Sequence, residues 1–136
     1  MIVLDASAAL ASVLESQATA AADAFFGAPP STLIAPAIFS FEVRNALLHA
    51  ERRGLIDADL VDETSLHLAA AVELWPLASR PADFVRLLNL ARREVLSLFD
   101  AAYLDLARSE AASLASRDGP LIEAARRIGV RIHDLR

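Results

Sequence analysis

The chain has 136 residues, no cysteine and a formal net charge of −5. The lack of cysteine excludes disulfides, thiolate nucleophiles and cysteine-ligated zinc, and the negative charge argues against broad electrostatic attraction to nucleic acid. The length fits a single domain over residues 1–136. No apolar run approaches the roughly 20 residues of a membrane span, so we expect a soluble, cytoplasmic protein.

Short apolar runs predict the strands of a sheet. The segments IVLD, STLIAP, ASLAS and VRIHDL give strands at residues 2–5, 31–36, 112–116 and 130–135. One helix is predicted after residue 5, and a second helical stretch ends near residue 27. Further helices are predicted over residues 36–54, 57–74 and 82–94, from residue 97 onwards and over residues 121–129. Residues 75–81 form a loop or a brief strand. The alternation predicts a small α/β sandwich, with a short, mostly parallel sheet between helices.

Two of these helices carry further expectations. Pro36 suits the first turn of the helix over residues 36–54, and Gly54 suits its end. In the helix over residues 121–129, Glu123 can pair with Arg126 and Arg127. Hydrophobic residues make up 55% of the chain, which is high for so small a domain. We therefore expect apolar surface that is covered in an oligomer or an obligate complex.

Four of the 18 acidic residues do not fit a solvated helix surface. Glu42 and Asp100 have no basic residue three or four positions away, so their own helices cannot neutralise them. Asp5 ends the first strand, and Asp118 follows the strand ASLAS. Open α/β sheets bind ligands at the carboxyl ends of their strands. Four separate carboxylates could converge at that edge.

Each acid also has a structural alternative. Asp5 could cap the helix that begins at residue 6, and Asp118 could cap the helix that follows it. Asp100 could occupy the third helical position behind a Ser97 N-cap. Glu42 needs a partner from elsewhere in the fold, because a mid-helix acid without a local cation is otherwise uncompensated.

If the four acids converge, a divalent cation is needed, because carboxylates that repel one another otherwise have raised pKa values. Hard cations such as Mg²⁺ and Mn²⁺ prefer such an all-oxygen shell. A metal bound there can lower the pKa of a water, orient it towards a phosphodiester and stabilise the leaving oxygen. The pattern favours a metal-dependent nuclease.

The segments VLDASAAL, FEVRNAL, FDAAYLDLA and LASRDGPLIEAARRIGV together resemble the successive motifs of the PIN-domain family, and more narrowly of VapC-type toxin ribonucleases. The resemblance covers essentially the whole chain, with order and spacing intact. It implies a PIN-like three-layer sandwich. It also implies Mg²⁺- or Mn²⁺-dependent endonucleolytic cleavage of structured RNA such as tRNA or rRNA, leaving a 5′-phosphate and a 3′-hydroxyl.

The resemblance also implies which residues act. The acidic quartet of the family maps onto Asp5, Glu42, Asp100 and Asp118 as catalytic and metal-binding residues, and its hydroxyl positions map onto Ser7 and Ser116 as supporting residues. A homodimer and a cognate VapB-type antitoxin are implied as partners. Two positions depart from the family: Ser116 stands where threonine is common, and Asp105 adds an acid. Asp105 lies about 140° around the helix from Asp100, so we assign it to the surface.

Other functions fit the sequence less well. Response-regulator receivers, haloacid dehalogenase-type phosphatases and P-loop nucleotide binders need a lysine, and the sequence contains none. The three histidines lack the spacing of zinc ligands. Trp75 and Tyr103 are interpreted as core or interface packing. The remaining alternative is a PIN-fold binding module that has lost catalysis and acts only through a protein partner.

Overall fold

The computed structural model describes residues 1–28 and 31–136. Its strands are β1 (Ile2–Leu4), β2 (Leu33–Pro36), β3 (Val72–Trp75), β4 (Ser113–Ser116) and β5 (Ile132–Asp134). They form one sheet in the order β3-β2-β1-β4-β5, and all four pairings are parallel. The predicted α/β sandwich with a short, mostly parallel sheet is confirmed.

Within residues 1–28 and 31–136, seven α-helices flank the sheet. They are α1 (Ala6–Ala11), α2 (Ala20–Phe26), α3 (Phe39–Arg52), α4 (Ala58–Ala71), α5 (Pro81–Glu94), α6 (Leu98–Ser109) and α7 (Gly119–Arg127), with one turn of 3₁₀ helix at Glu15–Gln17. Helix α3 packs against α1 and α4, whereas α6 packs against α5 and α7. Right-handed crossovers place these two groups on opposite faces of the sheet. Over residues 1–28 and 31–136, no helix has both the length and the apolar character that crossing a membrane requires.

The order of the strands determines where a ligand site can form. From β1 the chain proceeds through β2 to β3 on one side, and β4 and β5 lie on the other side of β1. The direction of winding therefore changes between β1 and β4. In an open parallel sheet, the carboxyl ends of the strands at such a point border a crevice. The residues that follow β1 and β4 are consequently the ones to inspect for function.

The core of the fold lies around the central strands. Val3, Ile34 and Leu114, from β1, β2 and β4, have no exposed surface. Helix α6 contacts all three of these strands. Its Leu104 is equally buried, as expected for a helix whose apolar residues occupy most of its circumference. Helix α6 is thus fixed firmly against the sheet, and its first turn lies near the carboxyl ends of the strands.

Two predicted helix boundaries are wrong. The helix predicted over residues 57–74 ends at Ala71, and Val72–Trp75 instead form the edge strand β3. Parallel pairing with β2 supplies the backbone hydrogen bonds that the helix would have provided, and the β-branched Val72 and aromatic Trp75 suit a strand. Pro36 is not in the first turn of a helix. It is the last residue of β2, where a missing N–H is tolerated, and α3 begins at Phe39.

The charge pairs of α7 also differ from the prediction. Arg126 pairs with Glu123 at 2.7 Å, as expected. Arg127 instead pairs with Glu94 at the end of α5, at 3.1 Å. The helix therefore uses one of its two arginines to join a neighbouring helix.

Val95, the residue that ends α5, adopts a strained backbone conformation. Its φ of 56° lies in the left-handed region, where a Cβ atom approaches the neighbouring carbonyl oxygen. The N–H of Leu96 donates to the carbonyl oxygen of Ala91 at 2.9 Å, closing the helix with a geometry that usually uses glycine. The Val95 side chain is 86% exposed, so packing does not compensate for the strain.

We expect Val95→Gly to stabilise the protein by about 0.5–1 kcal/mol, because relief of the left-handed strain outweighs the added freedom of glycine in the unfolded chain. Thermal or urea denaturation measures the change. Val85→Gly is the matched control, since Val85 is also exposed but lies inside α5, and there the substitution should destabilise the protein by a few tenths of a kcal/mol. Equal destabilisation by both variants would contradict the assigned conformation of Val95.

Candidate functional site

The crevice between the carboxyl ends of β1 and β4 is lined by acids. Asp5 directly follows β1, and its N–H donates to the carbonyl oxygen of Ala115 in β4 at 3.0 Å. Asp118 follows β4 and begins α7. Both residues therefore stand at the point where the winding of the sheet reverses, as the sequence predicted for the edge that binds ligands.

The buried carboxylate of Asp5 is held by two serine hydroxyls. Asp5 is only 5% exposed. Its Oδ2 accepts a hydrogen bond from Ser7 Oγ and another from Ser116 Oγ, the latter at 2.7 Å. Ser7 Oγ accepts from the N–H of Arg117 at 3.0 Å, and Ser116 Oγ accepts from the N–H of Asp118 at 2.9 Å. These bonds tie the start of α1 to the loop between β4 and α7.

Asp5 does not cap its helix. It occupies the N-cap position of α1, but its side chain makes no capping hydrogen bond. The capping alternative for Asp5 is therefore wrong, because the carboxylate turns to Ser7 and Ser116 instead. An N-cap position whose side chain is used elsewhere forgoes the stabilisation that capping normally gives the helix.

Asp118 and Asp100 both take part in helix capping. Asp118 Oδ1 accepts from the N–H of Leu121 at 2.8 Å. Ser97 is the N-cap of α6, and its Oγ accepts from the N–H of Asp100 at 3.0 Å. The same hydroxyl donates to Asp100 Oδ2 at 2.6 Å. The structural alternatives for these two acids are confirmed, but each bond occupies only one carboxylate oxygen.

Glu42 finds its partner on another helix. Tyr103 Oη donates to Glu42 Oε2 at 2.5 Å, joining α3 to α6. Tyr103 is fully buried, and Glu42 is half-buried. The sequence interpretation treated Tyr103 only as packing and missed this bond. The available signal was that Tyr103 lies three residues after Asp100 in a buried helix, where a phenol needs a hydrogen-bond partner.

The four acids share one type of partner. In the part of the chain that the structure describes, no arginine or histidine forms a salt bridge with Asp5, Glu42, Asp100 or Asp118. Their hydrogen-bond donors are hydroxyl groups and backbone amides. Each acid keeps a second oxygen for which the described residues supply no donor: Asp5 Oδ1, Glu42 Oε1, Asp100 Oδ1 and Asp118 Oδ2.

The charges of these acids affect one another. Burial is the largest cause of the raised pKa of Asp5, and the charges of Asp100 and Asp118 raise it further, whereas the Ser7 and Ser116 hydroxyls lower it. Burial also raises the pKa of Glu42, with smaller contributions from the charges of Asp5 and Asp100, and the Tyr103 hydroxyl acts in the opposite direction. The structure thus brings all four acids into one electrostatic neighbourhood.

A divalent cation fits the chemistry of this donor set. The free oxygens are carboxylate oxygens, which Mg²⁺ and Mn²⁺ prefer, and the buried charge of Asp5 has no positive partner in the described ranges. In the present side-chain positions, no group of three or more His, Cys, Asp or Glu residues among 1–28 and 31–136 could hold a metal ion. The side chains would therefore have to draw together on binding.

Asp105 lies outside this neighbourhood. Arg86 of α5 binds it with an N–O distance of 3.0 Å, and Arg86 also pairs with Asp83 at 2.9 Å. The side chain of Asp105 is 17% exposed, so it is a partly buried member of an ion-pair network between α5 and α6. The prediction that Asp105 points away from the site agrees with this placement, but the acid is less exposed than a surface assignment implies.

Comparison with known proteins identifies the fold. The PIN domain family profile matches residues 2–127. One similar solved structure is PAE2754 from Pyrobaculum aerophilum, with a TM-score of 0.70 and 19% sequence identity, covering 97% of this chain and 83% of that one. Another is FitAcB from Neisseria gonorrhoeae, with a TM-score of 0.66 and 17% identity, covering 97% of this chain and 96% of that one. A third is VapC20 from Mycobacterium tuberculosis, a toxin that cleaves the sarcin–ricin loop. Its TM-score is 0.60 at 16% sequence identity, covering 91% of this chain and 95% of that one. No curated protein sequence matches the chain significantly.

The raised pKa of Asp5 gives a prediction for stability without divalent cations. An acid whose pKa is higher in the folded state than in the unfolded state destabilises the fold when it is ionised. This penalty is complete above the folded-state pKa and disappears as the pH falls to the pKa of the unfolded state. In EDTA, Asp5→Asn should therefore melt at a higher temperature than wild type at pH 7, and the difference should shrink towards pH 4.

Circular dichroism melts at several pH values test this expectation. Asp62→Asn, which changes an exposed acid in α4, controls for the general change of net charge. A melting temperature for Asp5→Asn at or below that of wild type at pH 7 would show that the Asp5 charge carries no net penalty.

Proposed function

Because the chain belongs to the PIN-domain family, we propose that it is an Mg²⁺- or Mn²⁺-dependent endoribonuclease and the toxin of a toxin–antitoxin pair. PIN domains are generally nucleases. One observation carries the proposal for this chain. Four carboxylates near the β1–β4 crevice lie close enough to affect one another's charge, and each has one oxygen held by a neutral donor and a second oxygen with no donor among the described residues.

Each side chain has a role in this proposal. Asp5, Asp100 and Asp118 hold the cation directly or through water, and Glu42 completes the shell or positions the attacking water. Ser7 and Ser116 support the site by fixing Asp5 Oδ2, so that Oδ1 remains available. When bound, the cation supplies charge neutralisation and a water of lowered pKa for attack on a phosphodiester.

RNA is the proposed substrate, in structured forms such as tRNA or rRNA, and the expected products carry a 5′-phosphate and a 3′-hydroxyl. The fold shared with VapC20, a toxin that cleaves the sarcin–ricin loop, supports this choice. The net charge of −5 makes a local, metal-assisted contact with phosphate more favourable than a broad basic surface. Because tRNA and rRNA are found in the cytoplasm, the proposed activity is cytoplasmic.

Protein partners form part of the proposal. A VapB-type antitoxin and a second copy of the chain would each cover apolar surface. Several large apolar side chains are exposed in the single chain, among them Phe41 (76%), Leu66 (74%) and Val95 (86%). Covering these side chains in a complex would add hydrophobic stabilisation to the partnered state.

Asp100→Asn should reduce RNA cleavage by at least about 100-fold in Mg²⁺ or Mn²⁺, because the substitution removes a charged ligand from the proposed site. The measurement is the rate of appearance of discrete fragments from total cellular RNA, with purified partner-free protein and with EDTA as the metal-free reference. Asp105→Asn is the matched control. Asp105 lies on the same helix as Asp100, but its carboxylate pairs with Arg86 and lies outside the proposed site. The control variant should retain activity within about threefold.

Two results would contradict the proposal. Equal loss of activity in Asp100→Asn and Asp105→Asn would mean that the acids act through the stability of α6. If wild type makes no metal-dependent fragments and calorimetry detects no Mn²⁺ binding, the alternative of a catalytically inactive PIN-fold binding module is the better description.

A further inference from the structure

The contact between Tyr103 and Glu42 carries an inference about how the site is held. Tyr103 is fully buried, and its Oη lies 2.5 Å from Glu42 Oε2. A buried phenol needs a partner, and in the described chain its partner is this carboxylate alone. The two residues are 61 positions apart, so the bond fixes α3 relative to α6.

The position of Tyr103 on α6 matters as much as its bond. It lies three residues after Asp100, hence on nearly the same side of the helix. Helix α6 is packed against β1, β2 and β4, so the phenol oxygen sits on a rigid support. Glu42, in contrast, lies in the first turn of α3 on a flexible side chain, and among residues 1–28 and 31–136 only Tyr103 donates a side-chain hydrogen bond to it.

We propose that Tyr103 is a positioning residue of the acidic site, which holds Glu42 by Oε2 so that Oε1 stays directed to a bound cation or its water. This inference rests on the proposed function. A phenol is protonated at neutral pH, so Tyr103 is the donor in its bond to Glu42. Tyr103 touches neither substrate nor cation. It acts through Glu42.

Tyr103→Phe removes the hydroxyl and keeps the buried ring. We expect its affinity for Mn²⁺, measured by calorimetry, to fall by about 10–100-fold. The kcat for RNA cleavage should fall with little change in KM, because the ring is buried away from the substrate. Ser109→Ala is the matched control. It removes a hydroxyl from the other end of α6, where Ser109 Oγ bonds only to Leu106 and Glu110. It should change neither the affinity for Mn²⁺ nor the kcat for RNA cleavage.

A double-mutant cycle separates positioning from packing. If Tyr103 acts through Glu42, Tyr103→Phe should have no further effect on Mn²⁺ affinity when Glu42→Gln is already present. If Tyr103→Phe lowers the Mn²⁺ affinity by the same factor in wild type and in Glu42→Gln, the inference is overturned, because the hydroxyl then acts independently of Glu42. A Tyr103→Phe variant that melts at a lower temperature but binds Mn²⁺ as wild type does would also overturn it.

A measurement on the unmutated protein keeps the inference testable if Tyr103→Phe folds poorly. Tyr103 is the only tyrosine in the chain, so tyrosine labelled with ¹³C at Cζ gives a single NMR resonance. Saturating Mg²⁺ should shift this resonance in wild type and leave it unchanged in Glu42→Gln. An unshifted wild-type resonance, with Mg²⁺ binding confirmed by calorimetry, would overturn the positioning role alone. No Mg²⁺ or Mn²⁺ binding by wild type would overturn the proposed function and this inference together.

Discussion

The burial of one carboxylate, that of Asp5, determines the arrangement around it. A charge at this depth requires strong donors, and the chain supplies the hydroxyls of Ser7 and Ser116. Each hydroxyl then accepts a hydrogen bond from a backbone amide of the β4–α7 loop. Satisfying Asp5 therefore also sets the path of the chain into Asp118. One hydrogen-bond network thus holds the carboxylate of Asp5 and the backbone of Asp118, while the Asp118 carboxylate accepts from Leu121 instead.

Much of the fold follows from the sequence, because burial imposes clear patterns on it. The short apolar runs of β1, β2, β4 and β5 were identifiable, as were the acids at the carboxyl ends of β1 and β4. Strand β3 was not, because Val72–Trp75 continue the helical spacing of α4 and only pairing with β2 makes them a strand. Local sequence does not contain that pairing. Pro36 was misplaced for the same reason, since a proline suits both the end of a strand and the start of a helix.

The candidate site could be proposed from the sequence as a set of residues, but the contacts of those residues could not. Spacing along α3 and α6 shows that Glu42 and Asp100 lack local cations, and this argument needs only the helical repeat. The partner of Glu42, in contrast, comes from Tyr103, 61 residues away. Which of the buried polar groups meet across helices depends on how α3 and α6 pack, and no periodicity within either helix specifies it.

The four candidate site acids have partners of a different kind from those of the ion-paired acids in the described chain. Asp83, Asp105 and Glu94 pair with arginines, which neutralise them. The acids of the crevice are held by serine and tyrosine hydroxyls and by backbone amides. An arginine would orient a carboxylate equally well, but its positive charge would compete with a divalent cation. A neutral donor fixes the carboxylate and leaves its negative charge uncompensated. Neutral donors are therefore the partners that keep such a cluster in place while it remains able to attract a cation.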